Sequence, residues 1–374
     1  MKIGALVAEF NPIHAGHKIL IDKIKSENDC VIAIMSGNFV QRGECAIFEK
    51  SERAKAAIDC GVDLVIELPS LYALSSAEGF AKGAVGILSA CGLIDGLYFG
   101  SECGDIEKIS RCADVLNAES KDFSDILTKK LAEGLSFPAA RQEALSSIIP
   151  DCNILDMPNN ILAVEYVREL KKIKSAIIPH TIKRVGAGYN DTNTDEIIPS
   201  ASAIRKVLKE GNSADNMMLG KFSSPVFMED FDMIVASRLK AISKEELCAI
   251  ADCNEEIATR LKNACVYNTF SEILKNTACK RYTQSRIRRI LCNMIVGNNF
   301  KNYTPPTYIR PIAFNKNGSE ILRKMKSTAS LPLAARGAVL KDDIIFGLEC
   351  RATDVFNLVR NIEGGKEFDF IPIS

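Results

Sequence analysis

Three histidines occur in the chain, His14, His17 and His180, and two of them share one short run, Glu9-Phe10-Asn11-Pro12-Ile13-His14-Ala15-Gly16-His17. The run follows an apolar segment, Ile3 to Ala8, and leads into an amphipathic stretch through Ile19, Leu20 and Ile24. A helix opening here offers free backbone N–H groups and the positive end of its dipole, which suit a phosphate. Gly16 allows a ligand to approach the helix start closely. His14 and His17 are three apart and so share a helix face. Two imidazoles so placed can donate to a phosphate and stabilise a departing pyrophosphate. The same spacing can bind a metal, but no third ligand lies nearby in sequence, and no metal site is expected.

Other nucleotide fingerprints are missing. No GxGxxG follows the first apolar run and no GxxxxGK[ST] occurs anywhere, which disfavours a dinucleotide dehydrogenase and a P-loop NTPase. The H-x-G-H element resembles the nucleotidyltransferases that activate acids or phosphates with ATP. Proteins of that kind carry a second motif, a Ser/Thr-rich turn opening a late helix, and Ser200-Ala201-Ser202-Ala203-Ile204-Arg205 has its form. Ser202 is expected to cap the helix. Arg205, one turn on, would reach the β- and γ-phosphates with its planar fork. His14, His17, Ser202 and Arg205 are therefore the candidate catalytic residues.

The elements that must position them alternate regularly. Apolar runs at 3–8, 31–35, 64–68 and 97–99 alternate with helical patterns, including 50–60 and a long one over 71–91. Runs without polar alternation predict strands buried on both faces. The alternation predicts an α/β fold, a doubly wound parallel sheet. A helical, charged region follows from Asp105, then a strand over 175–183 despite Pro179, then a helix over 200–209. The catalytic domain is expected to span 1–211, with a polar linker over 212–225 and a mostly helical C-terminal region over 212–374.

Further segments narrow the resemblance. Met35-Ser36-Gly37-Asn38-Phe39-Val40-Gln41-Arg42-Gly43-Glu44 follows the second strand, Phe99-Gly100-Ser101-Glu102 the fourth. Pro158-Asn159-Asn160-Ile161-Leu162-Ala163 opens a helix, and Thr181-Ile182-Lys183-Arg184-Val185-Gly186 follows a strand. With Ala8-Glu9-Phe10-Asn11-Pro12 and the late Lys280-Arg281-Tyr282-Thr283-Gln284-Ser285-Arg286-Ile287-Arg288-Arg289, these resemble the bacterial tRNA(Met) cytidine acetate ligases over essentially the whole chain. The resemblance implies activation of acetate with ATP to acetyl-adenylate, then acetyl transfer to N4 of the wobble cytidine of elongator tRNA(Met). It implies that Val7-Ala8-Glu9-Phe10-Asn11-Pro12-Ile13-His14-Ala15-Gly16-His17-Lys18-Ile19-Leu20 hold ATP, with its Mg2+, together with Gly100, Arg184 and either Asn159 or Asn160. Gly37, Asn38, Gln41 and Arg42 would wall the acetate or the cytosine, and either Arg42 or Arg184 would pair the small carboxylate.

Charge supplies the tRNA side. The chain is neutral, with 47 basic and 47 acidic residues, yet the 47 residues between Glu272 and Glu320 contain no Asp or Glu and carry +9. Segregation of this size, over 273–319, predicts a polyanion partner, and RNA is the natural one. Lys280, Arg281, Arg286, Arg288 and Arg289 are the expected contacts, and Tyr282, Tyr303 and Tyr308 are candidates for stacking on unpaired bases.

Composition excludes other classes. At 47% hydrophobic and 25% charged residues the chain is an ordinary globular one. Its 13 cysteines form no CxxC pair, against a zinc ribbon or disulfide framework, and no disulfide partners are expected. No apolar run approaches the ~20 residues of a membrane span, and the first eight residues are too short for a signal peptide. A reduced, cytoplasmic protein is expected. The competing function is a small-molecule adenylyltransferase of NAD or coenzyme A metabolism, which shares both motifs but needs no large basic region.

Overall fold

The computed structural model describes residues 1–150, 152–184, 199–301 and 303–374. Eight strands occur among them: β1 (Ile3–Ala8), β2 (Cys30–Ser36), β3 (Phe39–Val40), β4 (Glu44–Cys45), β5 (Leu64–Leu68), β6 (Gly96–Ser101), β7 (Ile178–Lys183) and β8 (Pro311–Phe314). Six form one sheet in the order β7-β6-β1-β2-β5-β8. The first five are parallel, and β8 runs antiparallel to β5. Residues of β2 and β5 are all buried, as expected for strands covered on both faces. Pro179 is tolerated because β7 is an edge strand, whose missing N–H costs no ladder bond on the open side.

Strand order sets the site. β2 and β5 extend the sheet to one side of β1, β6 and β7 to the other. The chain therefore reverses direction between β1 and β6, and a crevice opens there beyond the carboxyl ends of the strands. The Glu9–His17 run leaves β1 at this crevice, and Gly100–Glu102 ends β6 beside it.

The packing corrects two expectations and adds to a third. The helix over 71–91 is two pieces, Ser70–Ala73 and Ala77–Cys91, because Ser76 caps the second and accepts from Gly79 N–H at 3.4 Å. The 212–225 stretch is strapped down rather than loose: Leu219 N–H donates to Ile13 O at 3.1 Å, and Phe222 stacks on Phe48 at 4.4 Å. The C-terminal region is mostly helical but also supplies β8 to the sheet, and Ile373 returns to bond Ile312 and Phe314.

A buried ionic cluster joins that region to the sheet. Lys50 Nζ lies 2.5 Å from Glu67 Oε1 and 2.6 Å from Glu367 Oε1. Arg310 Nη1 reaches Glu67 Oε2 at 3.1 Å and also bonds Glu367. Glu349 completes the group and accepts from Ser70 N–H at 2.7 Å. All five side chains are buried. Burial, reinforced by the neighbouring Glu67, raises the Glu349 carboxyl to about 7. Arg310 belongs to the basic run, so one of its nine charges is internal.

Candidate active site

The H-x-G-H spacing closes a capping box. His14 is the N-cap of the Ala15–Glu27 helix; its Nδ1 accepts from Gly16 N–H at 3.0 Å, and His17 Nδ1 accepts from His14 N–H at 3.2 Å. The geometry is that of a Ser-x-x-Glu box built from imidazoles. It has a chemical consequence. Each Nδ1 is an acceptor, so a neutral ring carries its proton on Nε2, and both Nε2–H groups remain donors. The rings lie 4.1 Å apart between centroids, and Phe10 packs edge-on against His17 at 5.1 Å.

Burial holds both rings neutral. It lowers His14 to about 4, helped by the Arg184 guanidinium. It lowers His17 well below the usual histidine value, helped by His14 and Arg184. An unfolded histidine titrates near ~6.5. Between these values the unfolded chain binds a proton that folded His14 refuses. Stability is therefore full above about 6.5 and is lost as pH falls toward 4. The denaturation midpoint, followed from neutral pH downward, should drop in this window. His14→Asn, which keeps a good N-cap, should flatten part of the drop; an unchanged profile would remove His14 as a source.

Arg205 reaches the same place from the Ala201–Lys209 helix. Its Nη1 donates to Asn11 O at 2.8 Å and its Nη2 to Ser202 Oγ at 3.2 Å. Ser202 is not the cap. Ser200 is, accepting from Ala203 N–H at 3.2 Å, and Ser202 sits in the first turn, where its hydroxyl orients Arg205. Asn11 is buried; its side chain accepts from Ile47 N–H at 2.8 Å, fixing the loop on which Arg205 leans.

The other expected residues divide. Gly100 faces Arg184, whose Cγ would lie 3.0 Å from an added Cβ, so the glycine keeps this edge open. Arg184 is exposed and its N–H donates to Ser101 O at 3.0 Å; Val185 and Gly186 of its motif lie outside the described residues. Asn160 is buried and accepts from Cys103 N–H at 3.1 Å, whereas partly exposed Asn159 bonds Glu102 Oε1 at 2.6 Å. Glu102 also receives both asparagine N–H groups at the start of the Pro158–Lys172 helix. Lys18 pairs with Asp22 along the first helix, and Ile19 is 49% exposed.

In the loop after β2, Gln41 N–H donates to Glu9 Oε1 at 2.9 Å. Burial raises the Glu9 carboxyl, while that bond, Arg42 and Arg205 oppose the rise. Arg42 is exposed. Asn38 points elsewhere: it is fully buried, accepts from Lys50 N–H at 3.1 Å and donates to Thr353 at 3.4 Å. Gly37 sits over the ionic cluster, where a Cβ would approach Glu349 Oε1 to 2.6 Å. These two residues therefore support the loop.

Arg53 also belongs to the site, though no motif of the sequence marks it. It is completely buried and donates to Glu9 O at 2.6 Å, Ser36 O at 3.1 Å, Phe48 O at 2.9 Å and Gly37 O. One guanidinium thus ties the exits of β1 and β2. Its only signal in the sequence is its place beside the small residues Ala54, Ala56 and Ala57, which form the buried face of the Lys50–Asp59 helix.

The basic segment is less free than its charge suggests. Arg288 pairs with Glu44, Arg289 with Asp252 at 3.5 Å and Arg281 with Glu256 at 3.3 Å, while Arg286 donates to Asp252 O at 2.6 Å and 2.8 Å. Tyr282 and Tyr308 are buried, so neither can stack on a base. Lys280 and Tyr303 are exposed. Ile287, Ile290, Leu291 and Met294 face inward on the Gln284–Val296 helix, as expected. No helix among the described residues is long and apolar enough to cross a membrane.

Comparison with known proteins bears on this geometry. A family profile described as HIGH Nucleotidyl Transferase matches residues 1–368. A tRNA(Met) cytidine acetate ligase of Caldanaerobacter subterraneus is 39% identical, covering 99% of this chain and 98% of the relative. Another from Acetivibrio thermocellus is 37% identical, covering 95% and 94%. The crystal structure of Thermotoga maritima TmcAL bound with alpha-thio ATP superposes with a TM-score of 0.88 at 31% identity, over 100% of this chain and 99% of that one. With the imidazole capping box at the switch point of the sheet and similarity of this length, the chain belongs to the HIGH nucleotidyl transferase family, among the tRNA(Met) cytidine acetate ligases.

Proposed function

We propose that the protein is an ATP-dependent acetate ligase that makes acetyl-adenylate and passes the acetyl group to N4 of the wobble cytidine of elongator tRNA(Met). The observation that carries the reading is the pair of imidazoles at the switch point, each accepting through Nδ1 and with no partner at Nε2 among the described residues, with Arg205 alongside. An acetate oxygen attacks the α-phosphorus of MgATP; the bond to the bridging oxygen breaks and pyrophosphate leaves. His14, His17 and the helix N-terminus stabilise charge gathering on the leaving group, and Arg205 neutralises its far end. Acetate is already a nucleophilic carboxylate, so this step needs alignment rather than a base. The cytosine amine then attacks the acetyl carbon, AMP departs and the amine loses a proton. Excluding water matters, because acetyl-adenylate hydrolyses.

On this reading Gly100, Asn159 and Arg184 hold the nucleotide, with Asn159 preferred because Asn160 is buried and committed to Cys103. Gln41 and Arg42 stand nearest the acetate and the cytosine. RNA contact falls to Lys280 and to the outer edges of Arg281 and Arg286. A cytoplasmic location goes with these substrates. The small-molecule adenylyltransferase is not favoured, since the relatives match over nearly the full length, basic segment included.

The test is pyrophosphate release from ATP with and without acetate, and with and without total tRNA. Acetate-dependent release, with acetate label entering tRNA only in the complete mixture, is expected. Release that ignores acetate but follows a phosphorylated metabolite would overturn the reading.

A further inference from the structure

A second concavity lies beside the candidate acetyl-transfer loop. It is an open cleft between the break in the 70–91 helix and the residues around Asp252, Lys301 and Tyr303. Its wall is shared with the loop after β2. Gln41 Nε2 donates to Ser75 O at 3.5 Å, and Ser75 lines the cleft. Gly43, at φ +72°, lies so close to the middle of the Gln284–Val296 helix that a Cβ would meet Arg289 N at 2.4 Å. Arg289 in turn holds Asp252, which lines the cleft from the opposite side.

Lining chemistry is that of a nucleotide site. Tyr303 is 46% exposed, unlike Tyr282 and Tyr308. Its ring is steadied by Tyr72 at 6.0 Å and by Lys82 Nζ at 5.4 Å from its centroid. A half-exposed aromatic ring held in place suits a base. The acidic groups here are neutralised: Glu78 by Lys82 at 2.8 Å, Asp252 by Arg289 at 3.5 Å. Lys301 lines the cleft, is exposed and makes no ion pair among the described residues; Arg286 bonds only the backbone of Asp252. Lys301 is therefore the lining cation left without an ion pair among the described residues, and so the one able to meet a phosphate.

We propose that this cleft binds an unpaired RNA nucleotide flanking the acetylated cytidine, stacking its base on Tyr303 and pairing its phosphate with Lys301. The inference rests on the acetate-ligase reading and extends it. A wobble base must leave its stack to reach an adenylate, and its neighbour then needs a surface of its own. Through the Gln41–Ser75 contact the cleft adjoins the loop where the acceptor base would sit, so a flanking nucleotide has a surface within the same wall.

The experiment compares wild type, Tyr303→Ala, Tyr303→Phe and Lys301→Glu in acetyl transfer to tRNA, with acetate-dependent ATP–pyrophosphate exchange without tRNA as the control. Tyr303→Ala should raise the KM for tRNA about fivefold or more, the lower range of stacking losses. Tyr303→Phe, which keeps the ring face, should stay within about twofold of wild type. Lys301→Glu should raise the KM and reduce its dependence on salt. Exchange should be unchanged in all three. A KM unmoved by Tyr303→Ala, an equal loss in Tyr303→Phe, or exchange falling in parallel would each overturn the proposal. Should wild type show no acetate-dependent exchange, the acetate-ligase reading fails separately, and the cleft is judged by titration with a short labelled single-stranded RNA. Binding weakened by Tyr303→Ala sustains it; binding unchanged ends it.

Discussion

His17→Ala should reduce acetate-dependent ATP–pyrophosphate exchange by roughly a thousandfold or more. Two losses combine. The first is the Nε2–H donor to the leaving pyrophosphate; removing one such donor typically costs about 10²–10³ in rate. The second is the Nδ1 acceptor, which receives His14 N–H at 3.2 Å and holds the first turn in its capping box. Without it His14 itself is free to shift. Two further variants separate the losses. In His17→Asn the side-chain oxygen can occupy the place of Nδ1 and keep the cap, but nothing reaches the place of Nε2. It should fold with a near-native melting temperature and still lose roughly a hundredfold or more. His17→Gln should retain more activity than His17→Asn, because its amide reaches outward as Nε2 does. A His17→Asn enzyme within tenfold of wild type would mean that His17 only caps the helix.

The second large effect is on stability. Arg310→Met should destabilise the fold by about 3–5 kcal/mol, the usual cost of removing one partner from a buried ion pair. Arg310 bonds Glu67 at 3.1 Å and also Glu367, and neither carboxylate has access to water. Without the guanidinium, Lys50 is left as the cation for three carboxylates. Glu349 already sits at about 7 because of burial and Glu67. Its carboxyl is raised above the unfolded value, so the folded chain binds the extra proton. That contribution is present at low pH and is lost as pH rises through about 7. The penalty of Arg310→Met should therefore be larger at pH 8 than at pH 6, read from urea denaturation at both. A loss under 1 kcal/mol at both values would show that the cluster relaxes or admits water. Because Gly37 rests against Glu349, such relaxation should also loosen the loop after β2.

Much of the fold was legible because it depends on local pattern. Apolar runs at 3–8, 31–35, 64–68 and 97–99 became β1, β2, β5 and β6, since a parallel strand covered on both faces needs no polar alternation. The histidine motif was legible as a helix start for a similar reason: Gly16 and the three-residue spacing act within one turn. Its capping box and tautomers were not read, because a histidine is not the usual cap and ring orientation depends on the neighbouring backbone. The second motif was placed correctly but shifted by one function. Ser200 and Ser202 are equally good caps by type, and the choice fell to Ser200 once Arg205 engaged Asn11 and drew on the Ser202 hydroxyl.

The sequence by itself determined the alternation of strand and helix, the order in which the motifs leave the strands, and hence the edge of the sheet where they meet. Tertiary structure decided which charges face the solvent. Arg53, Arg288 and Arg310 read alike along the chain, yet one ties two strand exits, one pairs with Glu44 and one lies in the core. It also decided that Tyr303 is open while Tyr282 and Tyr308 are buried, and that a strand from residues 311–314 closes the sheet. The physical reason is distance along the chain. Capping and amphipathic periodicity act over a few residues, whereas the cost of burying a charge or ring is met by partners such as Glu67 and Glu367, far from Arg310 in sequence and adjacent only after folding.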